Sequence, residues 1–446
     1  LCFDILSEII IRNSFHDSEW IPYYEILFCI SFAKQTGPFV LETTENQEVS
    51  LMEKQVVLAG AVRTAIGKMG GALSKTPATT LGALVVKEAL KRAGIAPADV
   101  DEVLMGCVLQ AALGQNPARQ ASIFAGIPQE VPALTINQVC GSGLQSVNMA
   151  ASRVLAGEAD VVVAGGMENM SRAPFALPNA RFGYRMNDGT LVDTMIRDSL
   201  WDAFNNYHMG MTAENVAKKY GVTRQMQDEF SAWSQQKCEA AQAAGRFDAE
   251  ILPVEVPLKK KETTMFKVDE GPRKGVTAES ISKLPPVFLK DGTGTVTAAN
   301  ASGINDGAAA VIVMSAEKAK ELGVKPMAKW IAGAWAGVDP AIMGIGPAFA
   351  TKKVFKKTGF GINDMDVIEA NEAFAAQAVA VGMELKWDPK RVNPNGGAVA
   401  LGHPVGASGC RILVTLLHEL QRRGGGRGLA TLCVGGGMGV ASIVEV

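Results

Sequence analysis

The feature that most restricts the fold is a pattern that occurs twice. Gly141-Ser142-Gly143 leads into an apolar helical stretch, and the strand-like run Val161-Val162-Val163-Ala164 then ends at Gly165-Gly166-Met167. Near the C-terminus Gly406-Ala407-Ser408-Gly409 leads into a helix carrying Ile412, Leu413, Leu416 and Leu417, and the run 429–434 ends at Gly435-Gly436-Gly437-Met438. Such an echo implies two similar halves packed together, with equivalent strand-to-helix turns meeting at a shared centre.

The rest of the chain fits this plan. Apolar runs of strand length at 56–62, 103–108 and 307–314 alternate with helical patterns such as Leu81, Leu84, Val85, Ala89 and Leu90, stopped by Gly94. Strands that are apolar throughout belong to α/β layers covered on both faces, where chemistry collects at the strand ends. From about Met170 to Asn300 the pattern loosens into polar loops, a helix over 211–219 and a longer one from Thr223, a plausible N-cap, to about Ala244. An insertion of that length reads as a lid or binding subdomain. The expected division is a first half over 55–170, a loop domain over 171–300 and a second half over 301–446. Residues 1–54 differ in character, with a single glycine and a crowd of aromatics, and are expected to be upstream sequence read in frame, with Met52 as the start.

Composition narrows the function. A chain of 446 residues with 48% hydrophobic content can bury large cores, and a net charge of −2 makes no electrostatic case for nucleic acid or an acidic membrane. No apolar run is long enough to cross a bilayer. The seven cysteines are scattered without C-x-x-C pairs, which argues against a disulfide framework or a zinc site. The expectation is a reduced, cytoplasmic enzyme. The run Lys259-Lys260-Lys261-Glu262 reads as a solvated loop.

Four residues carry candidate chemistry. Cys140 follows a β-leaning run and precedes a helix bearing Leu144, Val147, Ala151, Val154 and Leu155, so helix N–H groups and dipole are expected to hold a thiolate. Gly141 and Gly143 are expected to permit the sharp turn and leave room for substrate. A lone cysteine is otherwise a small buried hydrophobe. In Asn371-Glu372-Ala373-Phe374, Asn371 could hold a water, donate to an oxyanion or simply cap a helix, and Glu372 could be a buried hydrogen-bonding partner. His403, one of four histidines, stands in Gly402-His403-Pro404-Val405-Gly406-Ala407-Ser408-Gly409, a base with backbone access around it. That glycine spacing fits neither a dinucleotide fingerprint nor a P-loop. Cys433 ends a strand before Gly435-Gly436-Gly437, where exposed amides could poise it or where it could be plain core.

The order Cys140, Asn371, His403, Cys433, with these flanks, resembles the thiolase family from about Gln55 to Val446, and within it the members acting on acetoacetyl-CoA. The resemblance implies an α/β fold of two similar thiolase-type βαβαβαββ halves packed as α/β/α/β/α layers, with an inserted loop domain and usually a homotetramer. It implies the Claisen condensation of two acetyl-CoA to acetoacetyl-CoA plus CoA, and the reverse thiolysis, through an acetyl-cysteine. Cys140 would be the nucleophile, His403 its activating base, and Cys433 the base that forms the carbanion of the second acetyl-CoA. Asn371, through a water, and His403 would make one oxyanion hole; the N–H groups of Cys140 and Gly435 would make the other. Tyr207-His208-Met209-Gly210 resembles the short-substrate signature, and Phe288, Ala298, Ser302 and Phe374 match substrate- or CoA-pocket positions. The implied partners are acetyl-CoA, acetoacetyl-CoA and CoA, with no nucleic acid, membrane, metal or further cofactor. The alternatives are a degradative 3-ketoacyl-CoA thiolase of broader chain length and a CoA- or lipid-binding protein without turnover.

Overall fold

The computed structural model describes residues 54–257 and 262–446. The expectations for residues 1–53, the Met52 start among them, and for Lys259-Lys260-Lys261 lie outside the described residues. The first half runs β1 (Val56–Thr64), α1 (Ala78–Ala93), β2 (Glu102–Gly106), α2 (Pro117–Phe124), β3 (Ala133–Ile136), α3 (Ser142–Ala156) and β4 (Val161–Asn169). The insertion carries α4 (Met209–Tyr220) and α5 (Arg224–Ala243). Then come β5 (Asn305–Ser315), β6 (Ala328–Gly337), α6 (Gly346–Thr358), β7 (Val367–Ala370), α7 (Ala375–Leu385), α8 (Val405–Arg422), β8 (Arg427–Val434) and β9 (Met438–Glu445).

Strand pairing repeats between the halves, as the sequence echo implied. In the first, β2 and β4 are parallel, β4 and β5 antiparallel, and β5 and β1 antiparallel. In the second, β7 and β8 are parallel, β8 and β9 antiparallel, and β9 and β6 antiparallel. Even the edge is echoed: β3 runs parallel to β2, and Val392 makes a single parallel bridge to Ile368. The halves join where Val56, Val57 and Leu58 of β1 pair with Trp330, Lys329 and Ala328 of β6. The expected boundary at residue 301 needs correction in one respect: β5 lies between β1 and β4, completing the first sheet rather than opening the second. Sequence order concealed this because the insertion separates β5 from its partners.

The buried side chains sort into layers. Val57, Val103, Val163 and Ile312 pack outward against α1 and α2 through Leu81, Val85, Ala118 and Ala121. Their neighbours Leu58, Leu104, Val162 and Val311 face the other way, onto α3 and α8, whose far sides meet Leu432, Val434 and Val440. Alternation along each strand is what makes both faces apolar. Beyond the second sheet, Ala350 and Val354 of α6 cover Ile368, Leu429 and Ile443. The result is five layers with α3 and α8 in the middle. Leu155, expected on the buried face of α3, is instead 46% exposed.

The crossing of α3 and α8 is close because of glycine. A Cβ at Gly409 would overlap Leu144 N, and one at Gly143 would stand 2.8 Å from Cys410 N. Gly166, within β4, likewise leaves no space for a Cβ beside Gly406 O. This packing brings the Cys140 turn, the His403 loop and the end of β8 into one region.

Candidate active site

Cys140 sits between β3 and α3. The left-handed backbone there falls on Val139, with φ 46°, a strained value for a β-branched residue. The expectation that Gly141 supplies the turn is therefore corrected. Gly141 has an ordinary φ of −75°, and its role is space, since a Cβ would stand 2.8 Å from Val434 Cγ2.

His403 reaches the site from the loop before α8. Its backbone N–H donates to Asn305 Oδ1 at 2.9 Å, and its ring is buried. Nδ1 lies 2.6 Å from Ser408 Oγ, which in turn is 2.9 Å from Pro404 O. The Ser408 hydroxyl has one proton, and the carbonyl can only accept it, so Ser408 Oγ is left to receive Nδ1–H. We assign the tautomer with a protonated Nδ1 and an unprotonated Nε2, and Nε2 is buried without a hydrogen-bond partner among the described residues. Burial drives the imidazole pKa down to about 3, with the Arg411 charge acting the same way, so the ring is neutral at ordinary pH.

One cavity of about 160 Å³ is lined by Cys140, His403, His208, Met209, Phe288, Ser302 and Phe374. Its lining is mostly apolar, and His208 stacks on Phe288 with ring centroids 4.8 Å apart. His208 Nδ1 accepts from Gly210 N at 3.0 Å, capping α4, so this side chain both starts the helix and lines the cavity. Ala298 lies outside this set; it lines an adjoining cavity of about 280 Å³ that shares Ala301, Gly303 and Ile304 with the first.

The protonation states differ from the expected poised thiolates. Burial pushes the Cys140 thiol up to about 11, although N–H groups of Gly435 and of Cys140 itself are directed at the sulfur and oppose the rise. Cys433 is pushed well above its ordinary value by burial and by the field of Cys140. Desolvation of the closed apolar site outweighs the helix terminus, so the resting pair is a neutral thiol and a neutral imidazole.

Asn371 follows β7, its backbone N–H donating to Thr431 O at 3.0 Å. Its Nδ2 is 3.5 Å from His403 Nδ1, and its Oδ1 is buried without a hydrogen-bond partner among the described residues. Glu372 is the buried partner its motif implied: its oxygens accept from Ser234 Oγ, Asn393 Nδ2 and Val399 N.

Comparison with known proteins is decisive at this point. The chain matches the thiolase N-terminal domain over residues 56–317 and the thiolase C-terminal domain over 324–446. The chain belongs to the thiolase family. This thiolase is 61% identical over 390 residues to a Cupriavidus necator protein named acetyl-CoA acetyltransferase, covering 87% of this chain and 99% of that one. The acetyl-CoA acetyltransferase of Bacillus anthracis has the same fold, with TM-score 0.86 and 46% identity over 88% of this chain and 99% of that one. Human mitochondrial 3-ketoacyl-CoA thiolase in complex with CoA superposes with TM-score 0.84 at 44% identity, over 88% and 98% of the two chains.

Sequence reasoning missed several residues that build this thiolase site. Ser408 stands in the glycine-rich motif, yet its bond to His403 is hidden in the sequence because helical spacing says nothing about a preceding loop. Glu168 accepts from the backbone N–H groups of Val108, Leu109 and Gly406, tying two strand ends to the His403 loop. Burial lifts its carboxyl to about 7 against those three bonds. Its signal was a charged residue directly after the apolar run ending Gly165-Gly166-Met167. Met343 lines the cavity from a segment with no sequence signal.

Proposed function

We propose that the chain is an acetyl-CoA C-acetyltransferase, condensing two acetyl-CoA to acetoacetyl-CoA plus CoA and running the reverse thiolysis. The observation that carries this reading is Cys140 lining one narrow apolar cavity with His403, whose Nδ1 is held by Ser408 Oγ, and two backbone N–H groups directed at the sulfur.

In thiolysis, His403 Nε2 takes the Cys140 proton as the sulfur attacks the ketone carbon of acetoacetyl-CoA. The bond between the ketone carbon and its neighbour breaks, and the departing acetyl-CoA enolate takes a proton from Cys433. A resting thiol at Cys433 suits that first task. CoA then gives its proton to the Cys433 thiolate and attacks the acetyl-Cys140 thioester, releasing a second acetyl-CoA, while the departing Cys140 sulfur takes its proton back from His403 Nε2 and both thiols are restored. Condensation is the same sequence reversed, with Cys433 as the carbon base. His403 and an Asn371-bound water stabilise the enolate oxygen, and the Cys140 and Gly435 N–H groups stabilise the tetrahedral intermediate. His208, Met209, Phe288, Ser302 and Phe374 shape the acyl and thioester end of the pocket. Ala298 lies further along, toward the rest of the CoA.

A cavity of about 160 Å³ supports a short acyl group, lying below the roughly 300–1,000 Å³ usual for small-molecule sites. The likeness to a 3-ketoacyl-CoA thiolase keeps the longer-chain reading as the rival. Thiolysis rates for acetoacetyl-CoA and a ten-carbon 3-ketoacyl-CoA separate the two. Preference for acetoacetyl-CoA is expected, and comparable turnover of the long substrate would move the protein to the rival class.

The assembly we propose is a homotetramer. Support comes from exposed Phe175, Leu177, Phe182 and Leu191 around the paired strands Phe175–Ala176 and Val192–Asp193, and from the open edge of β3 with Leu134 exposed. No helix among the described residues is long and apolar enough to cross a membrane. The free cysteines at 107, 140, 238, 410 and 433 support our placing it in the cytoplasm.

A further inference from the structure

A second cavity, of about 340 Å³, opens between α5 and α7 and shares no lining residue with the one that holds Cys140. Phe230, Trp233, Met383 and Trp387 form its apolar walls, and Lys237 is the only cation among its described lining residues. The mechanism uses none of these side chains. The Lys237 ammonium stands 3.2 Å from the Trp233 ring centroid and donates to Val392 O at 2.8 Å, its only hydrogen bond among the described residues. The carboxylate that also lines the cavity, Glu372, is already held by Ser234, Asn393 and Val399 and forms no ion pair with Lys237.

Burial moves the Lys237 pKa down to about 8, while the Glu372 and Glu369 carboxyls pull it the other way. A half-buried ammonium with no carboxylate in direct ion-pair contact is costly in apolar surroundings, and an incoming anion that reaches it would relieve that cost beyond what the more distant Glu372 supplies. Aromatic walls add large apolar contact for whatever carries the charge. The volume also lies within the roughly 300–1,000 Å³ of small-molecule sites.

We propose that this cavity is a second binding site, for a small amphipathic monocarboxylate whose carboxylate pairs with Lys237 and whose apolar body lies between Trp233 and Trp387. Occupancy has a direct route to the reaction centre. Lys237 bonds Val392 O, and the next residue, Asn393, clamps both the N–H and the C=O of Ala370 at 2.8 Å, immediately before Asn371. A ligand drawing Lys237 toward itself acts on the segment that positions Asn371.

The probes are octanoate and 3-phenylpropionate, titrated into the full chain by calorimetry and intrinsic tryptophan fluorescence with CoA at saturation, so that acid entering the Cys140 cavity is competed away. The expected result is saturable binding of at least one acid, with its neutral amide about tenfold weaker and Lys237→Met lowering affinity by about the same factor. Preference between the two acids tells an alkyl from an aromatic occupant. Trp387→Leu is an independent variant expected to weaken binding, and it carries the test should Lys237→Met fail to fold. Equal binding of acid and amide, unchanged affinity in both variants, or no saturable binding with CoA present would overturn the proposal. None of these readouts depends on turnover.

Discussion

At the scale of single residues, the Ser408 hydroxyl, 2.6 Å from His403 Nδ1, bears on which ring nitrogen carries the proton. Ser408→Ala leaves His403 Nδ1 without its short hydrogen bond in a buried site, while Pro404 O keeps the N–H groups of Ala407 and residue 408; an unsatisfied buried group costs about 1–3 kcal/mol. The tautomer is then free to reverse, so kcat for acetoacetyl-CoA thiolysis is expected to fall about 10- to 100-fold, with KM within about twofold. Steady-state kinetics check this, and an unchanged kcat would remove Ser408 from its positioning role. His403 also predicts an acid response. Its folded pKa, about 3, lies below the ordinary value of 6.5, so the unfolded chain binds its proton more readily. The stability tied to neutral His403 is complete above pH 6.5 and is lost as pH falls toward 3. Melting curves from pH 7 to pH 4.5 should therefore show a shallower acid decline for His403→Asn than for the parent.

At the scale of elements, the crossing of α3 and α8 places the site. Gly409→Ala forces a Cβ into Leu144 backbone and is expected to cost at least about 2–3 kcal/mol, with loss of activity as the His403 loop shifts. Gly94 makes the contrast. It has φ 72° at the C-cap of α1 with open space around it, so Gly94→Ala should cost only about 1 kcal/mol and leave activity intact. Urea midpoints of the two variants separate close packing from backbone conformation. Both helix ends named from Thr223 and Gly94 were legible, since Thr223 Oγ1 accepts from Met226 N and Gly94 is left-handed. Cap chemistry is local, and local chemistry survives in sequence. The reason for Gly409 was not legible, because its partner Leu144 is far away along the chain.

At the scale of the whole molecule, buried charge and exposed apolar surface make separate predictions. Glu369 is raised to about 8, chiefly by burial, with Arg411 as its nearest ion-pair partner at 4.0 Å. A carboxyl whose folded pKa exceeds its unfolded value contributes fully below about pH 4.5, and that contribution is lost as pH rises through 8. Glu369→Gln should accordingly flatten the change in melting temperature between pH 5.5 and 8, read by scanning calorimetry. Phe182, 87% exposed, and Phe175, 62% exposed, flank the proposed contact between copies. Phe175→Asp with Phe182→Asp should lower the assembly order seen by sedimentation, and an unchanged assembly would place the interface elsewhere.

Legible in the amino-acid order were the two-half plan, the apolar strands and the candidate residues Cys140, Asn371, His403 and Cys433. These rest on periodicity, turn residues and motifs, each confined to a few neighbouring positions. Tertiary structure alone decided that β5 belongs to the first sheet, that Val139 rather than Gly141 carries the left-handed turn, and that Ala298 stands outside the Cys140 cavity. It also reversed the expected thiolates. A buried thiol's pKa depends on how completely its surroundings exclude water, and the groups that line the cavity with Cys140 come from both halves and the insertion.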